Sequence, residues 1–171
     1  YILNARPWSE ACVNSLTFEE KLRFIKKMGD FIPHTSGLGV ELHSIEGSEL
    51  TLRLPYQQQL VGDAETGVLH SGALTVLLDQ TLGLSAVCSN DIAPSVTPTL
   101  DLRIDHFGIA PPGSDIFATG KVLRATRKIL FVDGYAWCES PDKPIARATG
   151  TWVRVMDIDL EWIKSIGRDS A

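Results

Sequence analysis

The chain has 171 residues and a formal net charge of −5, and 44% of its residues are hydrophobic while 22% are charged. This length suits one domain with short extensions, and the composition is that of a folded protein with an apolar core. The negative charge argues against general nucleic-acid binding, which needs a basic face. Asp79 interrupts the longest apolar run, so we expect no segment that spans a membrane.

The N-terminal part of the chain predicts a helix followed by a β-hairpin. Thr17 and Glu20 have the T-x-x-E spacing of a capping box, and they begin an amphipathic helix that runs to about Phe31. Pro33 then stops the helix. Two stretches of alternating apolar residues predict a hairpin with one apolar face, at 38–42 and 50–54. A polar loop over 56–68 follows.

The segment 67–88 predicts the most apolar helix of the chain. Apolar residues surround it on nearly every side, as is typical of a helix wrapped in protein. Asp79 in its middle is a carboxylate that would be costly to bury unpaired. The helix opens with His70, Ser71 and Gly72, and the first N–H groups of a helix suit an anion or an oxyanion. We therefore expect a functional site here, although a structural carboxylate and a simple helix cap would give the same pattern.

The second half of the chain predicts four strands and a tail helix. The strands occupy approximately 99–107, 115–123, 129–138 and 145–155. Their short connections imply antiparallel pairing. The element order predicts an α+β fold, in which a single antiparallel sheet curls around one buried helix. We divide the chain into a helical N-terminal extension, one domain and a C-terminal tail that is helical, over 1–36, 37–156 and 157–171.

Three segments carry a resemblance to a known family. The run from Gly67 to Asp79, G-V-L-H-S-G-A-x-x-x-L-L-D, is similar to the H-G-G-(x)7-D segment of hotdog-fold acyl-CoA thioesterases, in the phenylacetyl-CoA thioesterase-like branch. Thr99–Phe107 and Ala146–Trp152 are similar to the central and last strands of that family. The resemblance implies a hotdog fold and hydrolysis of an acyl-CoA thioester. It also implies a homodimer or homotetramer and no cofactor beyond the coenzyme A of the substrate.

The resemblance assigns further residues to substrate contacts. Thr99 matches a position whose hydroxyl orients the water or the carboxylate. In the family, a cationic stretch in the turn between two of these strands often meets the phosphates of coenzyme A, and here the turn between the strands at 115–123 and 129–138 contains Arg124, Arg127 and Lys128. An ordinary strand residue and a solvated turn are the alternative interpretations.

Two residues depart from the family pattern. Ser71 replaces the first glycine of the pair, which matters little if only its backbone N–H is used. Asp63 stands near the position where the family usually carries Asn. Because an ionised carboxylate cannot donate a hydrogen bond to a carbonyl, this change bears on substrate choice and turnover.

Thioester hydrolysis needs oxyanion donors and a carboxylate, and the sequence spaces them too far apart for one chain. The N–H groups of Ser71 and Gly72 can serve as donors, while Asp79 can act as general base or nucleophile. Ser71 and Asp79 are eight residues apart, or about 12 Å along a helix axis. We therefore predict a two-fold dimer whose two sites are each shared between chains. Thr75 lies one turn from both residues, on the substrate-facing side, and His70 holds the opening turn.

The sequence is also compatible with two other functions. One is a hotdog dehydratase or hydratase acting on acyl thioesters, which would use a histidine and a carboxylate. The other is a non-catalytic acyl-CoA-binding protein.

The histidines lack metal-ligand spacing, so no metal is expected. The three cysteines Cys12, Cys88 and Cys138 have no C-x-x-C spacing, and the first residues lack a secretory pattern, so we expect reduced thiols in a cytoplasmic protein.

Overall fold

A computed structural model describes residues 16–89 and 92–166. The predictions for residues 1–15, for Cys12 and for the end of the tail, 167–171, lie outside this part of the chain. In chain order the elements are α1 Phe18–Phe31, α2 Pro33–Gly37, β1 Glu41–Glu46, β2 Glu49–Leu54, a 3-10 turn Gln58–Leu60, β3 Val61–Asp63, β4 Val68–Leu69, α3 Ser71–Val87, β5 Ser95–Val96, β6 Thr99–His106, β7 Ile116–Ala125, β8 Ile129–Trp137, β9 Ala146–Val153, β10 Met156–Asp157 and α4 Leu160–Ser165.

One antiparallel sheet and one central helix dominate the structure. The sheet has six strands in the order β1-β2-β7-β8-β9-β6, so β1 and β6 are its edges. Helix α3 packs across one face and buries Leu77, Leu78 and Leu82 completely. Two strand glycines permit this close approach, because a Cβ at Gly120 would lie 2.6 Å from Ser85 Oγ and one at Gly134 would lie 2.5 Å from Leu82 Cδ1. The predicted α+β fold is confirmed.

The terminal helices cover one end of this core. The predicted capping box begins α1: Glu20 N donates to Thr17 Oγ1 at 3.2 Å, and Thr17 N donates to Glu20 Oε2 at 2.8 Å. Phe24 of α1 is buried and meets Trp162 of α4 edge to face, with ring centroids 6.4 Å apart. Ile163 is fully buried. Among the residues described, no helix is long and apolar enough to cross a membrane.

The predicted first strand and the predicted polar loop are both partly wrong. Residues 38–40 do not extend as a strand, because Leu38 ends α2 and Gly39 adopts a positive φ of 69°. Strand β1 begins only at Glu41. The loop over 56–68 contains the 3-10 turn and a small hairpin, β3–β4. Alternation over five residues did not distinguish a strand from a short helix followed by a glycine turn.

Helix α3 is not covered on all sides, which corrects the expectation of a fully wrapped helix. Eight of its residues are buried, but one face stays partly open and includes Gly72, Thr75, Val76, Asp79 and Gly83. Asp79 is half-buried rather than buried. The reason is topological: the sheet lies on one side of α3 and ends at the edge strand β6. The open face is therefore available to substrate or to another chain.

Candidate active site

The opening turn of α3 is held by the side chain of His70. His70 is the N-cap, and its Nδ1 accepts a hydrogen bond from Gly72 N at 2.9 Å. A ring nitrogen that accepts cannot carry a proton, so this contact requires the neutral imidazole with its proton on Nε2. Ala73 N donates to His70 O at 3.0 Å. The Ser71 N–H has no acceptor among the described residues, and it is therefore the amide of this turn that a ligand can use.

Close packing fixes the position of this turn. His70 N donates to Leu60 O at 2.8 Å, which ties the turn to the small hairpin β3–β4. A Cβ at Gly62 would lie 2.8 Å from His70 Cα, and one at Gly72 would lie 2.8 Å from His70 Nδ1. Gly62 is therefore needed for this close backbone approach, and a side chain at position 72 would displace the His70 ring from its cap. Gly72, predicted as an oxyanion donor, has its N–H engaged by the cap.

Asp79 is positioned by Thr99. Thr99 Oγ1 donates to Asp79 Oδ1 at 2.8 Å, while Asp79 Oδ2 has no donor among the described residues. Thr99 begins the edge strand β6 and is paired with Trp152 of β9. The Trp152 indole in turn packs against α3, 3.3 Å from where a Cβ on Gly83 would stand. The carboxylate is thus presented on the open face of α3 with one oxygen oriented and one available.

The structure keeps Ser71 and Asp79 apart within one chain. Both lie on α3, and their separation of eight residues corresponds to about 12 Å along the axis. Thr75 lies between them and is exposed, with its Oγ1 donating to Ser71 O at 3.2 Å. One thioester carbonyl cannot contact the amide and the carboxylate of the same chain.

Asp63 uses its side chain within its own loop. Its Oδ1 accepts from Glu65 N at 3.0 Å and its Oδ2 accepts from Thr66 Oγ1 at 2.7 Å. The hydrogen bond from Thr66 and then that from Glu65 hold the pKa of Asp63 below its usual value, so the side chain remains an acceptor. Gly67 N closes the turn by donating to Asp63 O at 2.8 Å. Both oxygens of Asp63 are therefore committed to closing this loop.

The three predicted cations lie at the same end of the sheet as Thr99. Arg124, Arg127 and Lys128 are exposed at the turn between β7 and β8. Across the sheet, Ala125 pairs with Leu130, Leu130 with Trp152 and Trp152 with Thr99, which places this turn at the end where β6 begins. The structure thus gathers positive charge at the end of the sheet that carries the Asp79–Thr99 pair.

An arginine network that the sequence did not reveal fixes the segment leading into Thr99. Arg154 is only 10% exposed and donates from Nη2 to Asp157 at 3.0 Å and from Nε to Ser95 Oγ at 3.0 Å. It also donates from Nη1 to Arg127 O at 3.3 Å. Val153 N donates to Pro98 O at 3.0 Å. These contacts connect the segment that leads into β6 to the turn between β7 and β8, which we call the cationic turn because it carries Arg124, Arg127 and Lys128.

Two cavities flank α3. One, of about 410 Å³, lies between α2 and the first turns of α3, beside His70 and Gly72. The other, of about 170 Å³, lies near the opposite end of α3, beside Lys21 and Cys88. Burial raises the pKa of the Cys88 thiol to about 12, which makes it an inert apolar side chain. The part of the chain that the structure describes contains no cluster of three or more His, Cys, Asp or Glu able to hold a metal.

Comparison with known proteins identifies the family and the fold. Residues 66–145 match the thioesterase superfamily. The chain is 36% identical to a Pseudomonas aeruginosa protein of known crystal structure, with a TM-score of 0.71, over 79% of this chain and 99% of that one. It is also 25% identical to zebrafish thioesterase superfamily member 2, with a TM-score of 0.67, over 82% of this chain and 100% of that one. The chain therefore belongs to the thioesterase superfamily, and its architecture is the hotdog fold.

A curated relative indicates the same general chemistry. The chain is 28% identical over 116 residues to a Saccharolobus solfataricus protein that carries a provisional esterase name. The match spans 67% of this chain and 78% of that protein. Together with the superfamily, this relative supports thioester hydrolysis in general as the chemistry of the fold.

Proposed function

We propose that the protein hydrolyses an acyl-CoA thioester to the free acid and coenzyme A. The observation that carries this proposal is the presence of two groups on α3: a Ser71 N–H that has no acceptor within the described part of the chain, and an Asp79 carboxylate that Thr99 orients. Acyl transfer from a thioester needs a donor for the developing oxyanion and a base or nucleophile for the carbonyl. These two groups supply both.

The Ser71 N–H binds the oxyanion. It stands at the positive end of a helix of 17 residues, where the peptide dipoles reinforce a hydrogen bond to negative charge. The neighbouring Gly72 N–H is engaged by His70, so its part is to keep the turn tight rather than to donate. Because the turn is fixed before substrate arrives, little reorganisation is needed in the transition state.

Asp79 of a second chain acts on the same carbonyl, as general base toward water or as nucleophile. Strand β6 is an edge strand, and Leu100, Phe107 and Ile109 at or just beyond its two ends are 56%, 60% and 73% exposed. Antiparallel pairing of two β6 strands about a two-fold axis would cover these side chains and satisfy the edge. The same axis would run the two α3 helices in opposite directions, with Ser71 of one near Asp79 of the other. A tetramer would repeat this dimer.

The cationic turn receives the coenzyme A. Its phosphates carry several negative charges, and Arg124, Arg127 and Lys128 are exposed cations with no competing ion pair among the described residues. Charge-assisted contacts of this kind are the strong ones for phosphate. The cluster lies at the end of the sheet where Asp79 and Thr99 meet. Coenzyme A bound there would have its thioester close to these two residues.

The test is a screen of thiol release across aromatic, short, medium and long acyl-CoAs. Asp79→Asn should fold as the wild type and lose roughly 10²–10⁴-fold in turnover, the usual contribution of a positioned proton acceptor. Asp142→Asn, which removes an exposed carboxylate in the β8–β9 turn, is the matched control and should retain full activity. Full activity in Asp79→Asn would remove Asp79 from the mechanism.

The same screen separates the other candidate functions. Addition of water to an enoyl-CoA without thiol release would identify a hydratase. Tight binding of acyl-CoA without either reaction would identify a non-catalytic binding protein.

A further inference from the structure

We propose that the groove between α2 and α3 holds the acyl group of the substrate, and that α2 sets the length of acyl group that fits. This inference rests on the proposed function, since it concerns the same substrate. It gives the N-terminal extension a role in specificity. The acyl group it accepts is uncharged and mainly apolar, in contrast to the anionic carrier at the cationic turn.

The groove has the size and lining of an acyl subsite. Its volume is about 410 Å³, within the range of small-molecule sites. Its apolar lining comes from Ala73 and Val76 of α3, from Leu38 at the end of α2 and from Leu60, and these side chains carry no group that would compensate a buried charge. The polar side chains that line it are those of Gln59, His70 and the exposed His34.

The groove is continuous with the proposed oxyanion site. His70 and Gly72, which flank Ser71 in the chain, both line it. Val76 lies four residues beyond Gly72 on the open face of α3, so the groove follows the helix for about 6 Å from the opening turn. Because the groove adjoins the residues on both sides of Ser71, a thioester held at the Ser71 N–H can place its acyl chain in it.

Hydrogen bonds tie the end of α2 to the segment that follows β2. Gln57 Nε2 donates to Leu38 O at 2.6 Å, and Gln59 Nε2 donates to Gln57 Oε1 at 2.8 Å. Gly39 allows this contact, because a Cβ there would lie 2.8 Å from Gln57 Nε2. Leu38 N also donates to His34 O at 3.1 Å. A preformed wall discriminates by size, because it does not yield to a longer chain.

The experiment measures binding of S-alkyl-CoA thioethers, which cannot be hydrolysed, by calorimetry across alkyl lengths from two to twelve carbons. The full chain is used as wild type, Leu38→Ala, Val76→Phe and the control Leu42→Ala. Leu42 is a partly buried leucine of β1 that packs on the core without lining the groove. The ratio of affinities between long and short thioethers is taken within each variant, so a loss of folded protein does not change it.

In the wild type, affinity should rise about fourfold for each methylene that enters the groove and then level off at the length where α2 closes it. Leu38→Ala should move this limit to longer chains. Val76→Phe should move it to shorter chains and lower the long-to-short ratio at least tenfold. Leu42→Ala should leave the ratio as in the wild type.

Affinities that do not depend on alkyl length in the wild type would overturn the proposal, and so would length profiles in both groove variants that match Leu42→Ala within twofold. Thiol release is measured separately on the corresponding thioesters. Length-dependent binding without any thiol release would refute the hydrolytic function and leave the acyl groove standing. Thiol release from a protein whose groove variants keep the length profile of Leu42→Ala would refute the acyl groove and leave the hydrolytic function standing.

Discussion

Replacing Ser71 with proline tests the oxyanion donor because it removes the backbone N–H of this residue. Ser71 is the first residue of α3, a position where proline is well tolerated because its missing N–H has no partner within the helix. His70 precedes it with φ −64° and ψ 133°, the extended conformation that a residue before proline prefers. The backbone is therefore already shaped for proline. Ser71→Ala is the matched control, since it removes the hydroxyl and keeps the N–H.

The expected loss follows from the value of one oxyanion donor. Removing such a donor costs about 2.7–4 kcal/mol of barrier, or roughly 10²–10³ in kcat. Because the contact strengthens only as charge develops on the oxygen, we expect KM to change little. Ser71→Ala should keep kcat within about threefold of the wild type, since the Ser71 hydroxyl makes no hydrogen bond to residues 16–89 or 92–166.

The assay is steady-state thiol release from the best acyl-CoA of the screen, with kcat and KM measured for both variants. Their thermal midpoints should agree within about 4 °C, the shift that about 1 kcal/mol produces in a protein of this size. A Ser71→Pro enzyme with the kcat of Ser71→Ala would refute the assignment of the oxyanion to this amide.

Two further predictions concern groups of the site, and a third concerns the ion pair of Asp115 with Arg53. Thr99→Val removes the hydrogen bond to Asp79 and should lower kcat about tenfold while Thr99→Ser restores it, as measured by thiol release. His70→Ala removes the cap on Gly72 N and should lower the free energy of unfolding by about 1 kcal/mol. His70→Asn should lower it by less, because asparagine can also cap a helix. Urea titration at fixed protein concentration measures both losses, and equal losses would contradict the cap. The backbone N–H of Tyr56 and then Arg53 hold the pKa of Asp115 below its usual value, so its contribution to stability is present above the unfolded pKa and is lost as pH falls through the folded one. Asp115→Asn should therefore destabilise the protein by about 1 kcal/mol at pH 7, and the difference should shrink as pH falls below the ordinary pKa of aspartate; a difference that stays constant in acid would contradict this.

The sequence predicted the elements whose signals are strong and local. The capping box of Thr17 and Glu20 marked the start of α1, and the structure contains both of its hydrogen bonds. The apolar run after Gly72 marked α3, and the alternation between turns marked the four long strands. Each of these signals depends on spacing along the chain, which the fold preserves.

The site was predicted less completely because its contacts depend on side-chain direction and on neighbours far along the chain. Composition made α3 look buried on every side, but coverage depends on where the sheet ends, and β6 leaves Asp79 half-exposed. The sequence predicted that His70 holds the opening turn, but the local pattern did not indicate that its ring would do so by accepting from Gly72 N, which was expected to be an oxyanion donor. The position of Leu38 at the end of α2 was not predicted, because five alternating residues favoured a strand there.

The most direct test of a site shared by two chains is a heterodimer of two inactive variants. Ser71→Pro and Asp79→Asn chains with different affinity tags are co-expressed, and the mixed dimer is purified and assayed for thiol release. Each homodimer lacks one group in both sites, whereas the mixed dimer pairs the intact amide of one chain with the intact carboxylate of the other at one site. We predict about half of the wild-type turnover for each mixed dimer, because one of its two sites is whole. A mixed dimer as inactive as its parents would contradict the shared site.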